Sequence, residues 1–107
     1  MSPESVPDLA AIKLHDMSLV RIAVEWKAGL CTADIDGAVI PDVSGAQLRW
    51  IGVTEVEIPR SFPWGPSISI NKAHGPIDGR YEVEIQSGDT IVVRAVRCEI
   101  EFSRAGV

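Results

Sequence analysis

The segment "KLHDMS" sets His15 beside Asp16, an imidazole next to a carboxylate, and is the first place to look for chemistry. A carboxylate that orients a histidine makes a general base, and the same two groups can ligate an ion. Here the pair stands just ahead of an alternating apolar run, and neighbours on an extended chain project to opposite faces. The expectation is that His15 and Asp16 do not orient one another. They form a turn pair that hydrogen-bonds backbone where the strand begins, or they touch a partner. His74, in "NKAHGP", reads as an exposed loop histidine. A hydrolase or isomerase using His15 or His74 is an alternative that requires a carboxylate brought close in space.

Metal chemistry finds little support. Neither histidine has a third or fourth ligand at zinc-site spacing. "DIDG" begins as a calcium loop does, but that loop would need glycine and an acid where the chain has Val39 and Gly45. Asp34 and Asp36 instead read as a solvated strand edge. Cys31 and Cys98 lack a CxxC partner, so two buried reduced thiols are expected, with a disulfide between them as the alternative. No GxSxG and no phosphate-cradling glycine loop occur; "SGD" and "IDGR" read as hairpin turns. No cofactor and no metal are expected.

Two features suit binding. Glu82, Glu84, Glu99 and Glu101, with Asp89, alternate along what read as the outward faces of two neighbouring strands. Such a stripe either steers a basic partner or keeps the sheet soluble. In "RSFPWGPS" two prolines stiffen the connection between strands, so Trp64 is either displayed to a partner or folded back as a plug.

The elements that hold these residues are strands. "SLVRIAVEW" and "LCTADID" alternate cleanly. With Ala28-Gly29 as a two-residue turn, Trp26 faces Cys31, Val24 faces Ala33 and Ile22 faces Ile35, leaving Leu19 and Leu30 on the polar side. "GAVIPDVSGA" reads as a loop, and "QLRWIGVTEVEI" as one strand or two, bent at Gly52. "SISIN" reads as a strand with Ile68 and Ile70 inward, and "KAHGPIDG" as a loop. "RYEVEIQ" and the run from Thr90 pair around a Ser87-Gly88-Asp89 turn, which sets Ile91 opposite Ile85 and Val93 opposite Val83. The apolar phase then changes near Ala95–Val96, as a bulge would make it. A strand of that length can bend and serve two sheets. The sum is an all-β, antiparallel sandwich or partly open barrel of roughly six strands, mainly up-and-down hairpins with little helix.

The 107 residues suit a single domain, with residues 1–7 as a tail and a turn of helix in "PDLAAIKL" beginning at Pro7. The net charge of −5 and the scattered basic residues argue against nucleic acid. No apolar run approaches the roughly 20 residues that cross a bilayer. The start has neither the basic nor the apolar region of a secretory signal, so a cytoplasmic protein is expected.

The stretch "KLHDMSLVRIAVEWKAGLCTADI", with "FPWGPSISIN" and "EIQSGDTIVVRA" further on, resembles a family of small bacterial proteins of uncharacterised function that carry an N-terminal Leu-His-Asp motif. That family is distantly similar to candidate toxin-immunity proteins. The resemblance implies a protein partner and puts His15 and Asp16 at matching positions, with no chemical role to transfer.

The leading expectation is a non-enzymatic protein-binding module, immunity-like in its mode of action. Its contact residues would be His15, Asp16, Trp64, Glu82, Glu84, Glu99 and Glu101. A homodimer would form through a sheet edge. The alternative from another class is a small-ligand-binding β-barrel with Trp26, Trp50 and Tyr81 lining its cavity.

Overall fold

Period-two alternation decides which side chains meet in the interior. In the computed structural model, which describes residues 4–37, 43–61 and 68–104, Cys31, Ala33 and Ile35 are buried along one strand and Tyr81, Val83 and Ile85 along another. These two rows belong to two antiparallel sheets whose apolar faces meet. The described strands are β1 (Glu4–Ser5), β2 (Ser18–Glu25), β3 (Leu30–Asp36), β4 (Val43–Ile51), β5 (Glu55–Glu57), β6 (Ile70–Ile77), β7 (Arg80–Ile85), β8 (Thr90–Arg94) and β9 (Arg97–Arg104). One sheet runs β1-β9-β4-β3-β2 and the other β5-β8-β7-β6. The sheets do not close into a barrel, so of the two expected architectures the sandwich is the one formed. The meanders β2-β3-β4 and β6-β7-β8 are the expected up-and-down hairpins.

The chain passes between the sheets twice at one corner. β4 leads through Gly52, at φ +70°, into β5 of the other sheet. β8 returns through Ala95–Val96 into β9, where the change of apolar phase had suggested a bulge. The Ala95 amide bonds the Gly79 carbonyl in one sheet, and the Val96 amide bonds Ile51 in the other. Splitting these two runs, and adding β1, turns about six sequence runs into the nine strands described. On another side, Leu19 and Met17 exchange backbone bonds with Ile68 and Ile70, joining the start of β2 to the start of β6.

Both hairpins keep the expected inward face but slide by two residues. Val24, not Trp26, stands opposite Cys31, and Ile22 opposite Ala33. A two-residue Ala28-Gly29 turn of the favoured kind needs positive φ at both residues. Only Gly29 has it, at +62°, so the loop lengthens to Trp26–Gly29. Likewise Val83 faces Ile91 and Tyr81 faces Val93. The left-handed residue of a three-residue turn comes last, which moves the loop to Gln86-Ser87-Gly88, with Gly88 at φ +101°. A bulge between Leu19 and Arg21 puts Leu19 opposite Ile35, correcting its placement on the polar side.

Other segments also differ from expectation. "KAHGPIDG" is largely strand: β6 runs to Ile77, and only Asp78-Gly79 turns. Ile70 is buried as expected, but Ile68 is exposed. Of the residues read as a tail, Glu4 and Ser5 pair with β9 and Val6 is buried, its amide bonded to the Cys98 carbonyl. The helical turn is 3-10, Leu9–Ala11, capped by the Asp8 carboxylate rather than begun by Pro7.

In the core, Trp50 on β4 pairs with Cys31 on one side and Cys98 on the other. Strands about 4.8 Å apart put the two cysteines about 9–10 Å from each other, beyond the roughly 4.4–6.8 Å between the Cα atoms of a disulfide. Both are free thiols, fully buried. Burial pushes the Cys31 thiol from 9.0 up to about 11. It pushes Cys98 to about 12, with the neighbouring Glu99 adding to the rise. Burial, then the nearby Cys98, also raises Tyr81. Above pH 9 the unfolded chain ionises its thiols while the folded chain retains the protons, so alkali favours unfolding. Urea denaturation at about pH 8 and about pH 10 should show stability falling by about 2–3 kcal/mol, a little over 1 kcal/mol for each thiol. A flat profile would count against buried thiols.

Candidate functional site

His15 and Asp16 come closer than an extended chain allows. Asp16 sits at φ +68°, and this left-handed turn brings its Oδ1 to 3.4 Å from His15 Nε2. That corrects the expectation that the two side chains could not meet. His15 Nδ1 lies 2.6 Å from the Asn71 carbonyl, and Asp16 accepts from Gln86 Nε2 at 2.9 Å. The pair therefore does bond across to backbone and side chain at the start of β2, although both side chains remain exposed.

His74 is in strand β6, not in a loop. It stands opposite Glu82, with Nε2 enclosed and 3.8 Å from Glu82 Oε2. His15 and His74 line one open cleft of about 750 Å³ along β6, together with Lys13, Asn71 and Lys72.

The acidic stripe is divided. Glu82 and Glu84 point outward from β7 in one sheet, while Glu99 and Glu101 point outward from β9 in the other. The two outer faces lie on opposite sides of the sandwich. Sequence could not show this because β7 and β9 are separated by the sheet crossing at Ala95–Val96. The charges are also partly matched. Arg80 donates to Glu82, Asn71 donates to Glu84 with Lys72 nearby, and Arg97 lies 3.6 Å from Glu99. Glu101 stands opposite Gln47. Asp89 is buried and accepts from the Ser61 amide and the Ser87 hydroxyl, which makes it a structural group of the β7-β8 turn. Asp34 is on the interior strand β3 and accepts from Gln47 Nε2, so it is not at an edge. Among the described residues, no three His, Cys, Asp or Glu side chains converge as metal ligands would. Trp64 lies outside the described residues.

The most prominent surface feature is a residue the strand pattern assigned to the interior. Trp26 is 93% exposed. It opens the loop after β2, and the loop is closed by the Gly29 amide on the Trp26 carbonyl. It is braced from beneath by the Val53 amide on the Gly29 carbonyl at 2.9 Å. Beside it, Val24, Val53, Val56 and Ile58 line an open groove of about 720 Å³. A smaller groove of about 250 Å³ shares Ile58 and continues past Leu19, Val20, Ile22 and Ile68.

This apolar strip exists because β2 is an edge strand, and β5, which lines the groove beside it, is only three residues long. Core-phase side chains of β2 thus extend past the sheet that would cover them. Glu25 and Glu57 are exposed at its margin with no ion-pair partner among the described residues, while Glu55 is held by Arg94 at 3.4 Å. The signal available in sequence was "EWKAG": a single glycine at the end of the turn implies the longer loop, which carries Trp26 out of the strand.

Trp26, Trp50 and Tyr81 do not line a common cavity. Trp50 and Tyr81 meet edge to face at 6.3 Å in the core, on the far side of the sheet's rim from Trp26. No known family model, no curated protein and no solved structure matches this chain.

Proposed function

We propose that the chain is a non-enzymatic protein-binding module whose anchor is Trp26. The observation that carries this reading is an almost fully exposed indole on a braced turn at the rim of an apolar groove. A large rigid side chain loses little entropy when bound, and tryptophan is enriched among the residues that dominate binding energy. Contiguous apolar surface rimmed by charge is the usual mark of an interaction site. The partner would offer an apolar cleft for the indole and basic side chains facing Glu25 and Glu57. The Leu-His-Asp resemblance and the acidic balance fit an immunity-type inhibitor of a basic toxin, acting in the bacterial cytoplasm. No described helix is long and apolar enough to cross a membrane.

The histidines support an enzyme less well. His15, with Nδ1 on a backbone carbonyl and Nε2 beside Asp16, is exposed at the rim of a wide open cleft that does not enclose a substrate. Among the described residues, the enclosed Nε2 of His74 faces Glu82.

Trp26→Ala should leave unfolding stability within about 0.5 kcal/mol of wild type and weaken the partner by about thirtyfold or more. The check is capture from native lysate by both proteins, followed by calorimetric titration of whatever the wild type retains. Equal affinity for both proteins would sink the reading.

A further inference from the structure

We infer that the partner of this surface is a second copy of the chain, joined through the outer edge of β2 about a two-fold axis at Ala23. This rests on the protein-binding reading and names its partner. β2 ends the five-stranded sheet, and beyond Leu19 no described strand pairs with its outer side. An unpaired edge offers a row of backbone donors and acceptors that another strand can complete.

A two-fold interface demands self-complementarity: if residue i meets residue j, then j must meet i. The sequence from Val20 to Trp26, "VRIAVEW", meets that demand when laid antiparallel on itself about Ala23. Arg21 then faces Glu25 of the second copy, and Glu25 faces its Arg21, so opposite charges meet twice across the axis. Ile22 meets Val24 on the apolar face. Val20 meets Trp26, which sets each indole against the groove formed by Leu19, Ile22, Ile58 and Ile68 of the other copy. At the axis, where two identical side chains must lie side by side, the chain has the small residue Ala23.

The same pairing covers Val20, Val24 and Trp26, three of the large apolar side chains left exposed. Arg21 is available for it, since its intramolecular partner Asp34 lies 3.9 Å away and the Arg21 side chain is 70% exposed. Charged residues and a bulge are also the devices that keep edges from pairing indiscriminately. Here the bulge falls at Val20, at the margin of the paired segment, and the two charges are spaced to attract in one register only.

Charge exchange tests the register. The wild type should sediment as a dimer. Arg21→Glu sets Glu against Glu twice, and Glu25→Arg sets Arg against Arg twice, so each single variant should dimerise roughly tenfold or more weakly. An equimolar mixture of the two variants restores both attractive pairs and should sediment as a heterodimer. The double variant R21E/E25R should dimerise by itself. Recovery in the mixture also proves that both single variants are folded. A wild type that stays monomeric at high concentration, single variants that dimerise normally, or a mixture that fails to recover would each overturn the inference. If a monomeric wild type still captured another protein in a Trp26-dependent way, the binding module would stand and only its partner would change.

Discussion

Replacing Trp50 by alanine is expected to lower the unfolding free energy by about 3–5 kcal/mol, the range for removing a large aromatic from a packed core. A domain of this size holds only about 5–15 kcal/mol in total, so the variant should be largely unfolded at modest denaturant. Trp50 is 1% exposed and occupies the middle of the larger sheet. Its flanking neighbours on β3 and β9 are the two cysteines, whose small side chains leave room for the indole, and Tyr81 closes on it edge-on from the opposite sheet. The two flanking cysteines are too small to fill the space it would vacate. The edge-to-face pair adds about 0.5–1.5 kcal/mol beyond burial. Trp50 Nε1 is enclosed without a hydrogen-bond partner among the described residues. Trp50→Phe therefore gives up no hydrogen bond and should cost about 1–2 kcal/mol. Urea denaturation followed by circular dichroism distinguishes the two variants. An alanine variant within about 1 kcal/mol of wild type, a third of the lower bound for so large a side chain, would mean that the sheets do not pack around this ring.

The contrast with Trp26 shows what period-two alternation conveys and what it omits. Alternation correctly assigns Cys31, Ala33, Ile35, Tyr81, Val83 and Ile85 to the interior, because a slip of one residue would turn each of these rows outward. A slip of two preserves the face and is invisible to alternation. Turn chemistry has to supply that information, and in both hairpins it lies in the position of one glycine. Trp26 is in phase with the core but two residues beyond the last cross-strand pair that could hold it there, so it emerges at the surface. The acidic residues fail for a different reason. Glu82, Glu84, Glu99 and Glu101 each alternate as outward residues do, but which outer face they share depends on where the chain changes sheets. The phase change at Ala95–Val96 was legible; that it separates the two acidic pairs follows only from the strand order. His15 and Asp16 escape the extended-chain argument because Asp16 adopts the left-handed conformation, which aspartate tolerates better than most side chains.

Gly52 is where that sheet change is most vulnerable, and Gly52→Ala is expected to cost about 2–4 kcal/mol. Its φ of +70° is a conformation in which a side chain is strained by about 1–2 kcal/mol. A Cβ built there would also lie 2.6 Å from Val96 Cγ2 and 3.0 Å from Val96 Cβ. The two crossings, Gly52 from β4 to β5 and Val96 from β8 to β9, pass so closely that only one of them can carry a side chain toward the other. The Val96 amide is bonded to Ile51, so this residue cannot simply swing away without loosening the first pair of β4 and β9. Val96 is 77% exposed, however, and Val96→Ala alone should change stability by less than about 0.5 kcal/mol. The double variant separates the two costs. Trimming Val96 removes the collision with Cγ2 but leaves the close approach of its Cβ and the backbone strain, so at most about half of the loss should return, with a coupling between the sites of about 1 kcal/mol by double-mutant cycle. Additive effects would show that the crossings do not touch, whereas full recovery would show that the left-handed backbone at Gly52 carries no strain. Either result would require a different account of how two strands leave their sheets at a single corner, since in this fold the close passage of Gly52 and Val96 is what lets β4–β5 and β8–β9 turn together.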